Sequence, residues 1–371
     1  MEHSSGPLSH TPLHSEHIAL GAKMAPFGGW DMPIQYDGIL AEHTQCRSAV
    51  SVFDICHMGE YYFKGDAAAS DLEYAFTISI GRIAIGKCKY CFILHDNGGI
   101  IDDCIVYRLS DDEWMIVVNA ANIEKDFKAI QSVLKGGLFE DRSAVTGKLD
   151  IQGPLSCDVL SSLISPEVKK LSYFGFASMD VLGEKSIVSR SGYTGELGYE
   201  IYATPETTKK LWKAVLADAR VKPAGLGARD VLRLEMGYSL YGSDINDATT
   251  PLEAGLMFAV DMTKEFRGKA ALAAMQKKNL ARVKIGFLSA SRRSPRAHFE
   301  IRSPAGEKIG EVTSGSFSPI MNAGIGMGYV TPEHSKIGDP IVITDGVTII
   351  DAHVHGLPFH TNGTARAAAH A

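Results

Sequence analysis

With 371 residues, the chain is too long for one compact core, and two or three domains are expected. Apolar residues make up 45%, enough to build those cores, and no apolar run reaches the roughly 18 residues that cross a bilayer, so no membrane partner is expected. A net charge of −6 argues against a nucleic-acid partner, and the polar N-terminus lacks the apolar stretch of a secretory signal.

Residues 11–25 predict a short helix, with Thr11 as N-cap and Pro12 at the first helical position. A Gly/Pro-rich loop is expected over 26–36, a helix over 39–50, a strand within 51–65 and a helix over 67–77. A β-meander follows over 87–122, turning at Asn97-Gly98-Gly99 and at Ser110-Asp111-Asp112. Residues 123–135 predict an amphipathic helix. A second round comes next: a strand over 145–154, a helix over 155–164, a hairpin pair over 176–204, a helix over 205–219 and another starting near Ala228. From 283 onward, short strands joined by Gly and Pro predict a small all-β barrel or sandwich. Helices interspersed with a largely antiparallel sheet give an α+β class. The low-complexity end of the chain predicts a disordered tail.

Several polar clusters interrupt apolar strands. Asp102 and Asp103 lie in "NGGIIDDCIVYR", where burying an unpaired carboxylate costs several kcal/mol or raises its pKa. Neighbouring strand residues point to opposite faces, so at most one of the two can face a given pocket. The spacing puts Asp103 with Ile101, Ile105 and Tyr107. The other Asp needs its own partner, such as backbone N–H groups near the Asn97-Gly98-Gly99 turn. Periodicity alone does not say which Asp is which. Glu196 and Glu200 occur in a glycine-rich hairpin, "SGYTGELGYEIY", where glycine permits close approach of backbone to a ligand. Arg229 and Arg233 share one face of a helix whose other residues are largely apolar, a setting suited to a carboxylate or a planar ring. Arg282, Lys284, Arg292, Arg293 and Arg296 form a basic set against an acidic background.

Cys88 and Cys91 form a CxxC without a second ligand pair, and a strand would turn them to opposite faces; two separate buried thiols are expected. Free thiols fit a reducing cytoplasm. No transition-metal site is expected, and neither a GxSxG elbow nor a phosphate loop is present.

Seven stretches carry a resemblance: "TPLHSEHIALGAKMAPFGGWDMPIQY", "FDICHMGE", "NGGIIDDCIVYR", "SGYTGELGYEIY", "GLGARDVLRLEMGYSLYGSDI", "TTPLEAGL" and "TSGSFSPIMNAGIGMGYV". In this order they resemble the T protein family of the glycine cleavage system, tetrahydrofolate-dependent aminomethyltransferases. The resemblance runs from about 10 to about 360. It implies a three-domain cloverleaf around a central folate channel. Residues 8–278 would form two interleaved α+β, ferredoxin-like domains, about 8–50 with 140–240 and about 51–139 with 241–278. Residues 279–360 would form a β-barrel or jelly roll, and 361–371 the tail.

By the same resemblance Asp103 is the catalytic carboxylate and Glu200 binds the pterin ring. Arg229, Met58, Tyr90, Val117 and Tyr193 line the folate pocket, and Lys284 helps admit a lipoyl arm. The implied reaction moves the methylene of an aminomethyl group from the lipoyl arm of a carrier (H) protein to tetrahydrofolate, releasing ammonia. Two departures stand out. Cys56 replaces a usual Ser, and Gly363-Thr364 stands where relatives carry an aromatic pair. A related demethylase acting on another methyl donor is the alternative. A non-catalytic relative that supports iron–sulfur maturation is disfavoured, because its characteristic Cys is absent from "SRSGYTGELG".

Overall fold

The computed structural model describes residues 6–367. Two sheets and a barrel organise it. The first sheet has six strands in the spatial order Phe176–Val181, Glu184–Ser189, Gly198–Ala203, Gly147–Gln152, Val50–Asp54 and Val221–Pro223. All neighbours are antiparallel except the last pair. One face carries Leu149, Ile151, Tyr199 and Ile201, packed against Leu211, Trp212 and Val215 of the helix Pro205–Leu216. Thr204 caps that helix by accepting from the Thr207 N–H, and Pro205 fills its first turn.

The second sheet is the expected meander, extended at one side: Lys87–Leu94, Ile100–Arg108, Glu113–Val118, Gly59–Lys64 and Leu138–Asp141. Its outer face is covered by the helix Ile123–Gln131. Ile123, Phe127 and Ile130, at i, i+4 and i+7, meet Tyr61, Ile116, Val106 and Cys104 there. Burying each of these large side chains contributes about 1.5–3 kcal/mol.

The inner faces of the two sheets pack on each other. Cys88, Tyr107, Met115 and Val117 of the second sheet meet Phe176 and Tyr202 of the first. The chain passes from the first sheet to the second after Asp54. Residues 241–275 cover the far end of the second sheet through Ile245, Ala254, Phe266 and Leu272.

The third unit is a closed six-stranded barrel: Val283–Ser289, Ala323–Val330, Lys308–Ser318, Glu300–Arg302, Pro340–Thr344 and Ile349–His355. Closure removes the exposed edges that an open sheet would carry. The barrel is tied to the helix Leu226–Glu235 by the buried Arg233 guanidinium. Arg233 donates to Asp244 Oδ2 (2.6 Å), Asp230 Oδ1 (2.8 Å), the Tyr238 carbonyl (2.9 Å) and Ser314 Oγ of the barrel (2.8 Å).

Five local expectations change. The "loop" 26–36 is part of a hairpin of Lys23–Phe27 and Trp30–Gln35, because Gly28 (φ 56°) and Gly29 (φ 87°) supply the left-handed turn that joins twisted strands. The helix expected over 67–77 shrinks to Leu72–Ala75, and that from Ala228 runs from Leu226 to Glu235. A register shift opposite Ile93 and Leu94 leaves Ile101 as an extra residue, which turns it to the helix-covered face, away from Asp103. The expected disordered tail is ordered as far as it is described. Thr364 Oγ1 donates to Glu196 Oε2 (2.5 Å) and accepts from Leu197 N–H (2.8 Å), and Ala365 N–H donates to the Gly195 carbonyl (3.0 Å). A Cβ at position 363 would lie 2.4 Å from the Gly195 carbonyl oxygen, so glycine is what lets the tail dock there. Residues 368–371 lie outside the described residues.

Replacing Arg233 by Ala would strand Asp244 as an unpaired buried carboxylate. The expected cost is about 3–5 kcal/mol, read as a lower urea midpoint with an unchanged slope; a loss under about 1 kcal/mol would contradict the tie.

Candidate active site

Each inner sheet face contributes one wall of a polar site. On the second sheet, Tyr90, Ile105, Val117 and Glu60 are successive cross-strand partners, so they share the inner face. Asp103 belongs to that face one step along. Its Oδ2 accepts from Tyr90 OH (2.9 Å) and its Oδ1 from Asn119 Nδ2 (2.8 Å). Burial, and then the negative charge of Asp102, push the Asp103 carboxyl up to about 7.

Asp102 points the other way and is fully buried. It accepts from the Asn119 backbone N–H (3.0 Å), Asn119 Nδ2 (2.9 Å) and Asn122 Nδ2 (2.8 Å). A backbone N–H does hold it, but from the end of the neighbouring strand and not from the Asn97-Gly98-Gly99 turn.

The opposite wall comes from the first sheet. Glu200 Oε2 accepts from Ser191 Oγ (2.8 Å), Tyr202 OH (3.3 Å) and Tyr107 OH (3.5 Å), the last reaching across from the second sheet. Lys148 Nζ lies 3.4 Å from Glu200 Oε1. Burial pushes Glu200 up, but Lys148, Arg229 and these hydrogen bonds outweigh it and hold the carboxylate below its ordinary range. Beside it, Asp150 pairs with Arg229, yet burial still lifts Asp150 to about 6. The Arg229 guanidinium lies 5.1 Å from the Tyr193 ring and 5.9 Å from Phe53. Arg229 therefore orients Asp150 and Tyr193 and does not touch Asp103.

The barrel supplies the third side. Lys284 turns inward from the first barrel strand and donates to Ser239 Oγ (2.6 Å), while Tyr193 OH donates to the Ser239 carbonyl (2.5 Å). Burial, the largest influence, brings the Lys284 ammonium down to about 8, although Asp244 and Asp103 favour its charge. Met58 Sδ sits 3.6 Å from Lys148 Nζ, and Val117 lies fully buried beneath the site, in the packing between the sheets. The rest of the basic set does not join Lys284. Arg282 pairs with Glu253 (2.9 Å), and Arg292, Arg293 and Arg296 are exposed after the first barrel strand.

Several members of the site went unnoticed in the sequence. Lys148 and Asp150 alternate with Leu149 and Ile151 in "GKLDIQ", the same signature of charge inside an apolar strand that marked Asp102 and Asp103. Glu60 is fully buried, neither of its oxygens accepts a hydrogen bond among the described residues, and the charges that act on it are Lys148, Asp141 and Glu200. Burial holds Glu60 protonated, well above its ordinary range, against the opposing charge of Lys148. His57 Nδ1 also lacks a partner, and burial lowers His57 to about 4. Cys56 takes part as well: its Sγ accepts from the Lys148 N–H (3.2 Å), which fixes the backbone beneath the lysine.

The thiols behave as two separate groups. Cys88 sits between the sheets, Cys91 faces the helix-covered core, and all six cysteines are buried. His10 and His14, four residues apart, do come together with Asp31; one ligand atom from each lies within 4.8 Å of the others, a spacing that the sequence reading overlooked. The His10 and His14 rings stack in parallel at 3.7 Å, and His14 Nε2 is already hydrogen-bonded to Asp31 Oδ2 (2.9 Å).

Residues 13–264 match the profile of the GCVT N-terminal domain, and residues 282–360 match the glycine cleavage T-protein C-terminal barrel domain. The chain belongs to the glycine cleavage T-protein family. Curated relatives agree over most of their length. The aminomethyltransferase of Phocaeicola vulgatus is 42% identical over 90% of this chain and 94% of its own, and that of Flavobacterium psychrophilum is 40% identical over 95% and 99%. The crystal structure of the glycine cleavage system aminomethyltransferase T from Bartonella henselae superposes with a TM-score of 0.90. It is 32% identical and covers 96% of this chain and 99% of that one. The α+β cloverleaf with its C-terminal barrel is thus the family's fold.

Glu60 generates a pH test. Native Glu60 keeps a proton that the unfolded chain loses above its ordinary carboxyl pKa, so its stability contribution falls as pH rises from there, by up to about 1.4 kcal/mol per pH unit. Glu60→Gln is neutral in both states. In urea titrations it should be more stable than the parent at pH 8, with the gap closing toward pH 4.5; an equal gap at both pH values would contradict a protonated Glu60.

Proposed function

We infer that the protein is a glycine cleavage aminomethyltransferase: it transfers the methylene of an aminomethyl group to tetrahydrofolate, with release of ammonia. The observation that carries the residue assignment is the placement of Asp103. It is a partly buried carboxyl on the wall opposite Glu200, hydrogen-bonded by Tyr90 and Asn119 and poised near neutrality.

The donor set fits a reduced folate. A pterin presents a row of N–H donors on its pyrimidine edge, and Glu200 offers a carboxylate whose Oε1 lies 3.4 Å from Lys148 Nζ. In this reading Glu200 binds that edge, and Tyr193 and Met58 line the ring. Arg229 holds Tyr193 and Asp150 in place, while Tyr90 orients Asp103. Asp103 then stands at the nucleophilic nitrogen, where an ionised carboxylate orients it and takes up a proton as ammonia leaves. A carboxyl poised near pH 7 suits that exchange better than an ordinary Asp.

The aminomethyl group would arrive on the lipoyl arm of a carrier (H) protein, with Lys284 at the barrel side of its path. The curated relatives named above are aminomethyltransferases, which favours this donor over the methyl donors of a demethylase. No described helix is long and apolar enough to cross a membrane. The buried, separate thiols of Cys88 and Cys91 support a reducing compartment, and we place the enzyme in the cytoplasm.

Asp103→Asn should lower turnover by roughly 10² or more while the fold survives. The assay is ammonia release from aminomethylated lipoyl carrier protein with tetrahydrofolate. In the parent, turnover should fall as pH drops through about 7, where Asp103 takes up its proton. Near-normal turnover of the variant would remove Asp103 from the chemistry.

A further inference from the structure

Behind Asp103 lies a second carboxyl that the reaction does not use. Asp126 projects from the helix Ile123–Gln131 toward the same face as Ile123, Phe127 and Ile130, and it is fully buried. Among the described residues, neither oxygen accepts a hydrogen bond. A buried carboxylate without a donor is untenable unless it holds a proton. Its neighbour across the helix–strand contact is Asp102, which is met by three N–H donors.

Asn119 links this pair to Asp103. Its single amide nitrogen contacts Asp102 Oδ1 (2.9 Å), Asp103 Oδ1 (2.8 Å) and the Asp103 carbonyl (3.1 Å). The orientation of one side chain therefore depends on both carboxylates.

We propose that Asp126 and Asp102 share one proton, and that Asp102, kept as the charged member and joined through Asn119, positions Asp103 and sets where it ionises. Asp126 supplies the O–H, Asp102 accepts it with its N–H bonds already made, and no proton leaves the pair during turnover. Burial is the main force that lifts Asp126, to about 11, followed by the charge of Asp102. The titratable groups facing Asp103 are Tyr90 on the neighbouring strand, Asp102 on its own, Asp126 on the covering helix, Tyr193 from the loop ahead of Gly198–Ala203, and Lys284 from the barrel. Of these, Asp102 is the one whose charge raises Asp103 most.

The role of the pair in turnover rests on the assignment of Asp103 above. The test has two arms. In Asp102→Asn, the acid limb of the turnover–pH profile should move at least one unit toward lower pH, because the charge that raises Asp103 is gone. A purely structural role would lower turnover without moving the limb. The second arm reads the parent protein directly, by carboxyl-carbon NMR of aspartate-labelled full chain, and survives a failure of Asp102→Asn to fold. The signal lost in Asp126→Asn should not titrate below pH 9, and the signal lost in Asp103→Asn should titrate near 7. An unmoved limb in folded Asp102→Asn, or an Asp126 signal that titrates near pH 4, overturns the proposal. Full turnover of Asp103→Asn would instead overturn the catalytic assignment, and the carboxyl titrations distinguish that failure because they need no turnover.

Discussion

The packing of two sheets by their inner faces is the constraint on which the site depends. An apolar contact would have sufficed for stability, and around Cys88, Met115, Val117 and Phe176 that is what forms. Above this layer the same faces carry carboxyls. Charges trapped between sheets cannot be solvated by water, so each must find a cation, a set of N–H or O–H donors, or a proton.

The two walls solve this in parallel ways. Asp150 and Glu200 of the first sheet share two cations, Lys148 and Arg229, and Lys148 is also the cation that acts on Glu60, which faces them from the second sheet. Burial lifts Asp150 to about 6 and raises Glu60 well above its ordinary range, while Glu200, with the most donors, remains charged. At the second sheet, Lys125 acts on Asp126 and Lys284 faces Asp103 from the barrel, and Asp126 carries the surplus proton. Glu200 is thus held charged below its ordinary range, Glu60 and Asp126 are neutral acids, and Asp103 and Asp150 are lifted toward neutrality. The side chains proposed to meet the ligand, Glu200 and Asp103, take the charged and the poised roles. The neutral acids lie buried behind them, where a ligand cannot reach.

Much of this was legible in the chain. The meander, the helix over 123–135 and the barrel strands follow from periodicity and turn residues; the pairing of Asp103 with Tyr90 follows from their adjacent strands, and that of Glu200 with Tyr107 once the sheets face each other. Strand alternation separated Asp102 from Asp103 but could not rank them, and the extra residue at Ile101 broke the alternation on which that reading relied. Lys148 and Asp150 carried the same sequence signature and were passed over because they are isolated charges, not a doublet. Asp126 was invisible: on a helix with other charges it resembles an ordinary solvated residue, and only the docking of that helix shows it buried. The tail illustrates the converse limit. Low complexity predicted disorder, but Gly363 and Thr364 are the small residues that fit against Gly195 and Glu196.

The most direct measurement is a structure of the protein with tetrahydrofolate bound. The expected result places N5 within hydrogen-bond reach of the Asp103 carboxyl and the pyrimidine edge on Glu200, between the two sheets. A folate ring seated elsewhere, or seated there with N5 directed away from Asp103, would contradict the central assignment.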